Sequence, residues 1–260
     1  TGLGAFLLPP IVESLIANHG WRTAYRGIGL GALLISLPIV FALFKEKPDS
    51  STATDGEVMA NKVETWGLTT KDAMRTKQFW ILGAVLFLTV IVVAGLLSNF
   101  ERIMTEQGFE RSSIAQIAAV MGLTVIIGRL MVGALVDRFW APGVAACFFL
   151  VATLGLLILV GTQVTMATAL LVAVMIGLAA GAELDLLAYL TGKYFGPAHY
   201  PAIFGLIIAF FTVGAGIAPP LFGMAAQMFQ GYGTMLSISI GLLLVSILLF
   251  LSLGRYPDEE

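Results

Sequence analysis

The chain has 260 residues, of which 58% are hydrophobic and 12% are charged, and its formal net charge is -2 at pH 7. Soluble domains carry about 25% charged residues, so this composition favours a protein embedded in lipid. A net charge so close to zero offers no basic surface for nucleic acid, which we exclude as a partner. The single cysteine, Cys147, excludes an intrachain disulfide and a cysteine metal cluster.

Apolar runs divided by charges and turn residues predict about eight membrane-spanning helices. Each run approaches the length of about 20 residues that a helix needs to cross a bilayer. Helices are expected because lipid offers the backbone no hydrogen-bond partners, and none of the runs alternates as a barrel strand does. The predicted spans are Thr1–Ala17, Ala24–Phe44, Phe79–Arg102, Ser113–Val136, Pro142–Gly161, Met166–Leu190, Ala202–Gln227 and Gly233–Leu253.

The long polar connection Lys45–Gln78 marks a boundary between two blocks of spans. Its first part has too few apolar residues to fold alone. We therefore divide the chain into residues 1–44, the last two spans of an N-terminal half, residues 45–78, a cytoplasmic linker with a short helix, and residues 79–260, a C-terminal half of six helices.

Two capping boxes predict where helices begin. Thr69 and Asp72 predict a short helix that runs on into the third span. Ser113 and Gln116 predict the start of the fourth span.

Glycines four residues apart predict close helix packing, as in Gly27-x-x-x-Gly31 and Gly177-x-x-x-Gly181. We expect these pairs to act within one chain rather than between chains, and therefore expect a monomer.

Lysines and arginines in the loops predict the orientation, because cytoplasmic loops carry more of them. The richer side carries Lys45, Lys47, Lys62, Lys71, Arg75, Lys77, Arg138, Lys193 and Arg255, whereas the other side carries Arg22, Arg26, Arg102 and Arg111. The linker is therefore expected in the cytoplasm, and the turn Asn18–Thr23 outside.

An internal repeat relates the two ends of the chain. A Gly-Ala pair, a Pro-Pro pair and a Gly-aromatic-x-Thr turn follow one another within residues 4–23 and again within residues 214–234. This repeat predicts that the first two spans correspond to the last two. We therefore expect the chain to hold about eight of twelve spans.

Residues 128–139, GRLMVGALVDRF, end one apolar run with a charged, glycine-spaced turn and lead directly into the next run. Gly133, Leu135, Asp137 and Arg138 resemble GxLxDR, the cytoplasmic loop motif of the major facilitator superfamily. The resemblance implies an all-α transmembrane fold of the major facilitator type and a role in solute transport.

We expect Gly128, Gly133, Asp137 and Arg138 to form a cytoplasmic gate motif. The Asp137 carboxylate can accept hydrogen bonds from the free amides at a helix N-terminus. The start of the first span, where glycines within residues 2–4 permit close approach, is its expected partner in the outward-open state.

Arg129 lies about two turns, or about 10 Å, from the cytoplasmic end of the fourth span. An arginine at mid-membrane costs about 2.5–3.5 kcal/mol, so it should face a partner or a watery cavity. Its planar guanidinium can hold a carboxylate through two parallel hydrogen bonds, which makes it the expected substrate-binding residue. The alternative is a structural arginine that reaches the headgroups or pairs with Asp137.

Glu183 and Asp185 in the sixth span are expected about two turns from its cytoplasmic end, at a depth close to that of Arg129. Two residues apart on a helix, they point about 200° apart, so one can face a cavity and the other the protein interior. Burial favours the neutral form of a carboxyl group, which suits proton coupling. The alternative is a structural clasp with Arg129, Arg138 or Lys193.

Tyr189 lies one turn after Asp185 and can hydrogen-bond a substrate, although tyrosines are also common at membrane interfaces. His19 and His199 both fall in turns and are not expected to bind metal. Because the sequence has no HExxH motif, no paired cysteines and no glycine-rich phosphate loop, we expect no metal, no cofactor and no enzyme activity.

Several stretches together resemble the oxalate/formate antiporter and monocarboxylate porter branch of the superfamily. They are HGWRTAYRGIGL after the first span, GLTTKDAMRTKQFW before the third, GAELDLLAYLTGKYFG in the sixth, and the glycine-rich seventh span with Pro219 and Pro220. The resemblance implies transport of small organic anions by proton symport or anion exchange. It also implies a buried arginine on the eighth of twelve helices, where Arg129 lies.

Two departures from this branch narrow the expected substrate. Oxalate transporters also place a lysine in the eleventh helix, whereas the span Ala202–Gln227 has none. Animal monocarboxylate carriers place an aspartate one turn before the arginine, where this chain has Val125. One buried cation favours a monocarboxylate over a dicarboxylate.

We therefore expect secondary active transport of a small organic anion, with protons or a counter-anion as the coupled species, in the cytoplasmic membrane. Export of a lipophilic drug by proton antiport is an alternative that fits the same fold. A membrane receptor or structural protein is another, but it would not require Arg129, Glu183 and Asp185 deep in the membrane.

Overall fold

The computed structural model describes residues 15–16, 20–34, 36–38, 66–161 and 163–256. The chain divides into two units, Thr1–Glu64 and Thr65–Glu260, which are described separately.

In the first unit, residues 20–34 and 36–38 are helical, so most of the predicted turn Asn18–Thr23 is helix instead. The predicted first span lies outside the described residues, apart from residues 15–16. Gly27 and Gly31 have no atom of the described chain within 4 Å of the position of an added Cβ.

The second unit consists of one short and six long helices in its described residues. They are α1 (Thr70–Ala73), α2 (Lys77–Glu106), α3 (Arg111–Val136), α4 (Ala141–Gly161), α5 (Met166–Phe195), α6 (Tyr200–Met228) and α7 (Gly233–Leu251). Each of the six long helices has the length and apolar composition to cross a membrane. The all-α transmembrane prediction is therefore confirmed for this part of the chain.

Thr69 caps α1 as predicted, but the Asp72 carboxylate bonds the Thr69 hydroxyl rather than its backbone N–H, and the helix is short. The Thr69 hydroxyl accepts from Asp72 N at 3.2 Å and donates to the Asp72 carboxylate at 2.6 Å. The prediction that this helix continues into the next is wrong, because Thr76 adopts extended backbone angles (φ -82°, ψ 148°) and caps α2 separately by accepting from Phe79 N at 3.3 Å.

The second capping box is not formed. α3 begins at Arg111, after an extended Glu110 (φ -73°, ψ 156°) that makes no side-chain cap bond. Since the chain enters the helix two residues earlier than predicted, Ser113 and Gln116 lie inside its first turns.

The six long helices form two groups of three, α2–α4 and α5–α7, and each helix of one group makes contacts equivalent to those of its counterpart in the other. α3 lies along α5 and α2 lies along α6, while α4 packs on α5 and α7, and α7 packs on α2. Exchanging α2 with α5, α3 with α6 and α4 with α7 reproduces these contacts. Because α2 and α5 begin at opposite ends of the bundle, the arrangement is an inverted repeat, a plan common among transporters.

Glycines mark this repeat in the sequence. Gly95 and Gly181 lie 86 residues apart, as do Gly128 and Gly214, and all four stand where long helices touch. A Cβ on Gly95 would collide with the Phe222 ring across the contact of α2 with α6. The equivalent contact of α3 with α5 carries the candidate site.

One end of the bundle gathers the segment before α2, the α3–α4 and α5–α6 turns and the segment after α7. We call it the basic end, because most of the described lysines and arginines of this unit lie there: Lys71, Arg75, Lys77, Arg138, Lys193 and Arg255.

A backbone strap at the basic end ties residues 66–68 to the α5–α6 turn. Leu68 N donates to Phe195 O at 2.9 Å, and Ala198 N donates to Trp66 O at 3.4 Å. The last residues of the predicted linker are therefore part of the six-helix unit.

The segment after α7 closes the same end. Trp140 Nε1 and the Tyr194 hydroxyl donate to Gly254 O at 3.2 and 2.9 Å, and Ala141 N donates to the Tyr256 hydroxyl at 2.9 Å. These bonds connect the α3–α4 turn to the end of α5.

Candidate functional site

The contact of α3 with α5 is a seam in which the two backbones nearly touch. A Cβ on Gly181 would collide with Val125 O, and one on Gly128 would lie 2.5 Å from Leu178 O. A Cβ on Gly177 would collide with the Thr124 hydroxyl. The predicted packing of Gly177 and Gly181 within the chain is therefore confirmed, and the side chains beside the seam are held in place by two closely packed helices.

Arg129 lies on this seam, seven residues before the end of α3 at Val136, or about 10 Å along the helix. Its backbone N is 3.1 Å from the position of a Cβ on Gly181. The residue is half-buried, and its Nε is enclosed with no hydrogen-bond partner among the described residues. Because a buried N–H without a partner costs about 1–3 kcal/mol, an oxygen acceptor that reaches this donor would be bound favourably.

Glu183 and Asp185 lie deeper than predicted. α5 continues five residues beyond the predicted end at Leu190 and stops at Phe195. The two acids are therefore twelve and ten residues before its end, or about 18 and 15 Å along the helix.

Glu183 faces the interior of the bundle, away from Arg129. It is 6% exposed, and the Thr89 hydroxyl of α2 donates to its Oε1 at 2.6 Å. Both residues border a cavity of about 10 Å³ whose other walls are apolar side chains of α2, α4, α5 and α7. This space holds about one water molecule.

This environment separates Glu183 from Arg129. The seam glycines and Glu183 occupy opposite faces of α5, because Glu183 follows Gly181 by two residues, or about 200°. Its described hydrogen-bond partner is Thr89 rather than Arg129 or Arg138.

Asp185 lies on the side of α5 that faces α3. It follows Gly181 by four residues and is exposed. An exposed carboxylate this far from a helix end fits a water-filled cavity better than lipid. Arg129 and Asp185 therefore border the same exposed face of the six-helix unit, and no ion pair joins them in the part of the chain that the structure describes.

Tyr189 is half-buried and lines an open recess at the basic end, together with Lys193. It follows Asp185 by one turn on the same helix. The predicted candidates Arg129, Asp185 and Tyr189 are thus placed along one side of α5, while Glu183 is placed on the other.

The predicted gate motif surrounds the end of α3. Gly128 is buried against Leu178, Gly133 is exposed, and Asp137 is the exposed C-cap of the helix. Arg138 is also exposed, and its backbone N donates to Leu135 O at 3.1 Å. The expected partner of Asp137, at the start of the first span, lies outside the described residues.

Two polar groups near the core were missed by sequence reasoning. Thr89 lies within an apolar run, 94 residues before its partner Glu183, and nothing in the spacing links the two. Asn99 is buried, accepts from the Tyr232 hydroxyl at 3.1 Å and donates to Pro219 O at 3.4 Å. A lone asparagine within a predicted span was the one available signal, since buried amides in membranes bind other helices.

Comparison with known proteins assigns the family. Residues 1–200 match the model of the Major Facilitator Superfamily. The chain belongs to this superfamily. The assignment confirms the resemblance that the turn after α3 carries and agrees with the inverted repeat of the six long helices.

Two relatives cover nearly the whole chain. It is 26% identical to Monocarboxylate transporter 12 of Xenopus laevis over 97% of its length, which is 59% of that protein. It is 25% identical to 3-(3-hydroxy-phenyl)propionate transporter of Escherichia coli (strain K12) over 92% of its length, which is 57% of that protein. The chain therefore spans less than three fifths of the length of these curated relatives.

Proposed function

We propose that the protein carries a small organic monocarboxylate across a membrane by secondary active transport, and that Arg129 binds its carboxylate. The observation that carries the proposal is the enclosed Nε of Arg129, which has no partner among the described residues. A guanidinium presents two parallel N–H groups to a carboxylate, so a bound anion would satisfy this donor.

The charge of the site supports a single carboxylate. Among the described long helices, Arg129 is the one cation that lies more than five residues from a helix end. A dicarboxylate would carry a second negative charge. The described long helices have no second lysine or arginine so far from a helix end to pair with it.

The names of the two relatives agree with this substrate class. One is called a monocarboxylate transporter, and the other is named for a substituted propionate, which also carries one carboxylate. They support a monocarboxylate over the alternative of a lipophilic drug.

Coupling is proposed to use a proton or a second anion. Glu183 is the proposed proton carrier, because its carboxyl group is enclosed and borders a cavity that holds about one water molecule. Asp185 lies on the exposed face, and its negative charge would lower the electrostatic potential near Arg129.

The mechanism is proposed to be alternating access, in which the site opens to each side of the membrane in turn. The excess of lysine and arginine supports a cytoplasmic location for the basic end. We expect the protein in the cytoplasmic membrane, with no cofactor and no nucleic acid partner.

Uptake into proteoliposomes tests the proposal. The full-length protein would be supplied with labelled lactate, benzoate and succinate, with and without an inward proton gradient. We expect uptake of a monocarboxylate and little uptake of succinate. Arg129→Lys keeps the charge but loses the paired N–H groups, so uptake should fall at least about tenfold.

The matched control is Arg102→Gln, which changes an exposed arginine near the other end of the bundle. Uptake by this variant should stay within about twofold of wild type. Wild-type kinetics in Arg129→Lys, at equal protein levels, would contradict the binding role of Arg129.

A further inference from the structure

The recess at the basic end has the size of a small-molecule site. Its volume is about 460 Å³, and its lining residues are Trp66, Ala188, Tyr189, Gly192, Lys193 and Tyr200. Small-molecule sites commonly measure about 300–1,000 Å³.

The lining combines aromatic walls with one positive charge. The rings of Trp66, Tyr189 and Tyr200 form apolar walls, and the lining also contains the ammonium group of Lys193 and the hydroxyl group of Tyr189. The Tyr200 hydroxyl donates to Ala188 O at 3.3 Å. This lining is complementary to an anion with a bulky apolar body.

The recess continues the α5 face that carries the candidate site. Ala188, Tyr189 and Gly192 follow Gly181 and Asp185 at helical steps of three and four residues. Lys193 is eight residues beyond Asp185, or about 12 Å along the helix toward the basic end. An anion that moves between Arg129 and the water at this end would therefore pass the recess.

Two walls of the recess are held in place by their neighbours. Trp66 belongs to the backbone strap, where Gly67 (φ 151°) and Gly196 (φ 76°) take conformations that favour glycine and lie in direct contact. The Tyr200 ring stacks on Phe204, with centroids 5.4 Å apart. Preformed walls reduce the entropy lost when a ligand binds.

We propose that this recess is a second, weaker binding station for the transported carboxylate, located between Arg129 and the basic end, and that it favours carboxylates with an aromatic body. The proposal rests on the function proposed above. An anionic lipid headgroup shares the charge that Lys193 recognises, and the experiment separates the two sources.

Calorimetric titration of the full-length protein in phosphatidylcholine nanodiscs tests the station, with benzoate as the probe and acetate as its short counterpart. Benzoate should bind in a tight and a weak phase, and acetate in the tight phase alone. Lys193→Gln should weaken the second benzoate phase at least tenfold and leave the first unchanged. Gly192→Leu, which fills the recess without changing its charge, should do the same.

Gly192→Ala is the matched control, because its added Cβ would lie 3.8 Å from the Tyr200 ring, an ordinary contact. It should retain both phases. A weak phase that is absent from wild type, or unchanged in both Lys193→Gln and Gly192→Leu, would overturn the station. A parallel experiment uses nanodiscs that also contain phosphatidylglycerol. Binding of that lipid that depends on Lys193, seen by native mass spectrometry, while benzoate binding does not, would also overturn the station.

The tight phase reports on the proposed function separately. Its loss in Arg129→Lys, with the weak phase intact, would support both proposals. A tight phase that does not depend on Arg129 would contradict the role of that residue and leave the recess to be judged by its own variants.

Discussion

At the scale of single residues, Arg129 and Glu183 are separated by the body of α5. Arg129 contacts the side that carries Gly181, whereas Glu183 faces Thr89 on the other side. A proton on Glu183 would therefore not neutralise a charge next to an anion bound at Arg129. If both groups serve transport, protonation of Glu183 must affect anion binding at Arg129 indirectly, by a movement of α5 relative to α2 and α3.

This arrangement predicts different effects for the two neighbouring acids. Glu183→Gln keeps an oxygen acceptor for the Thr89 hydroxyl but cannot release a proton. It should abolish accumulation driven by a pH gradient and preserve exchange of labelled substrate across equal concentrations. Asp185→Asn removes a negative charge from the exposed face, so accumulation should persist and the KM for the anion should fall severalfold at low ionic strength.

Accumulation assays and exchange assays on the same proteoliposomes distinguish these effects. If Glu183→Gln still concentrates substrate on a pH gradient, Glu183 does not carry the coupled proton. An unchanged KM in Asp185→Asn would contradict the electrostatic role of Asp185. Loss of folded protein in Glu183→Gln is checked by size-exclusion chromatography before the transport assays.

At the scale of helices, the seam between α3 and α5 depends on residues without side chains. Gly181→Val would force its side chain against Val125 O, a backbone atom that cannot move alone. Overpacking of this kind costs about 1–3 kcal/mol or more, so the apparent Tm should fall by several degrees. The measurement is thermal unfolding followed by size-exclusion chromatography in detergent.

Gly122→Val on α3 is the control for this prediction. No atom of the described chain lies within 4 Å of a Cβ at Gly122, so the added side chain has room. An equal loss of stability in both variants would show that helix propensity, rather than the seam, accounts for the effect.

The helices themselves could be predicted from the sequence, but several of their ends could not. The length of an apolar run determines whether a helix crosses the membrane, and the six described spans follow from it. Helix ends depend on the local backbone instead: Thr76 starts α2 by capping it, and α3 starts after Glu110 without a side-chain cap.

The candidate site shows a similar limit. Arg129 could be identified from the sequence, because a charge within a membrane-spanning apolar run is energetically costly and therefore indicates a functional role. The surroundings of Glu183 could not be predicted, because its partner Thr89 comes from a different helix and looks in sequence like any other residue of an apolar run.

At the scale of the whole molecule, Asp137 is exposed at the basic end and caps α3. We predict that Asp137→Asn shifts the conformational balance toward the inward-open state. The expected partner of Asp137 is the N-terminus of the first span, and an asparagine side chain would accept hydrogen bonds from its backbone N–H groups less strongly than a carboxylate does. Turnover should fall, while the intrinsic affinity for substrate stays within about twofold.

Cysteine labelling measures this shift. A single cysteine placed by Ala188→Cys, with the exposed Cys147 changed to Ser, would react with an impermeant maleimide from the basic end. We expect faster labelling when Asp137→Asn is added. Equal labelling rates with and without that change would argue against the gate.

The two seams of the inverted repeat differ in the charge of equivalent residues. The position 86 residues after Arg129 is Ala215, and the position 86 residues before Asp185 is Asn99. Thus one seam carries two charges, whereas its duplicate carries a methyl group and a neutral amide that binds Pro219 O and the Tyr232 hydroxyl. The same helix contact thus accommodates two charged residues in one copy and two uncharged residues in the other, so the residues beside a seam can differ while the packing of the bundle stays the same.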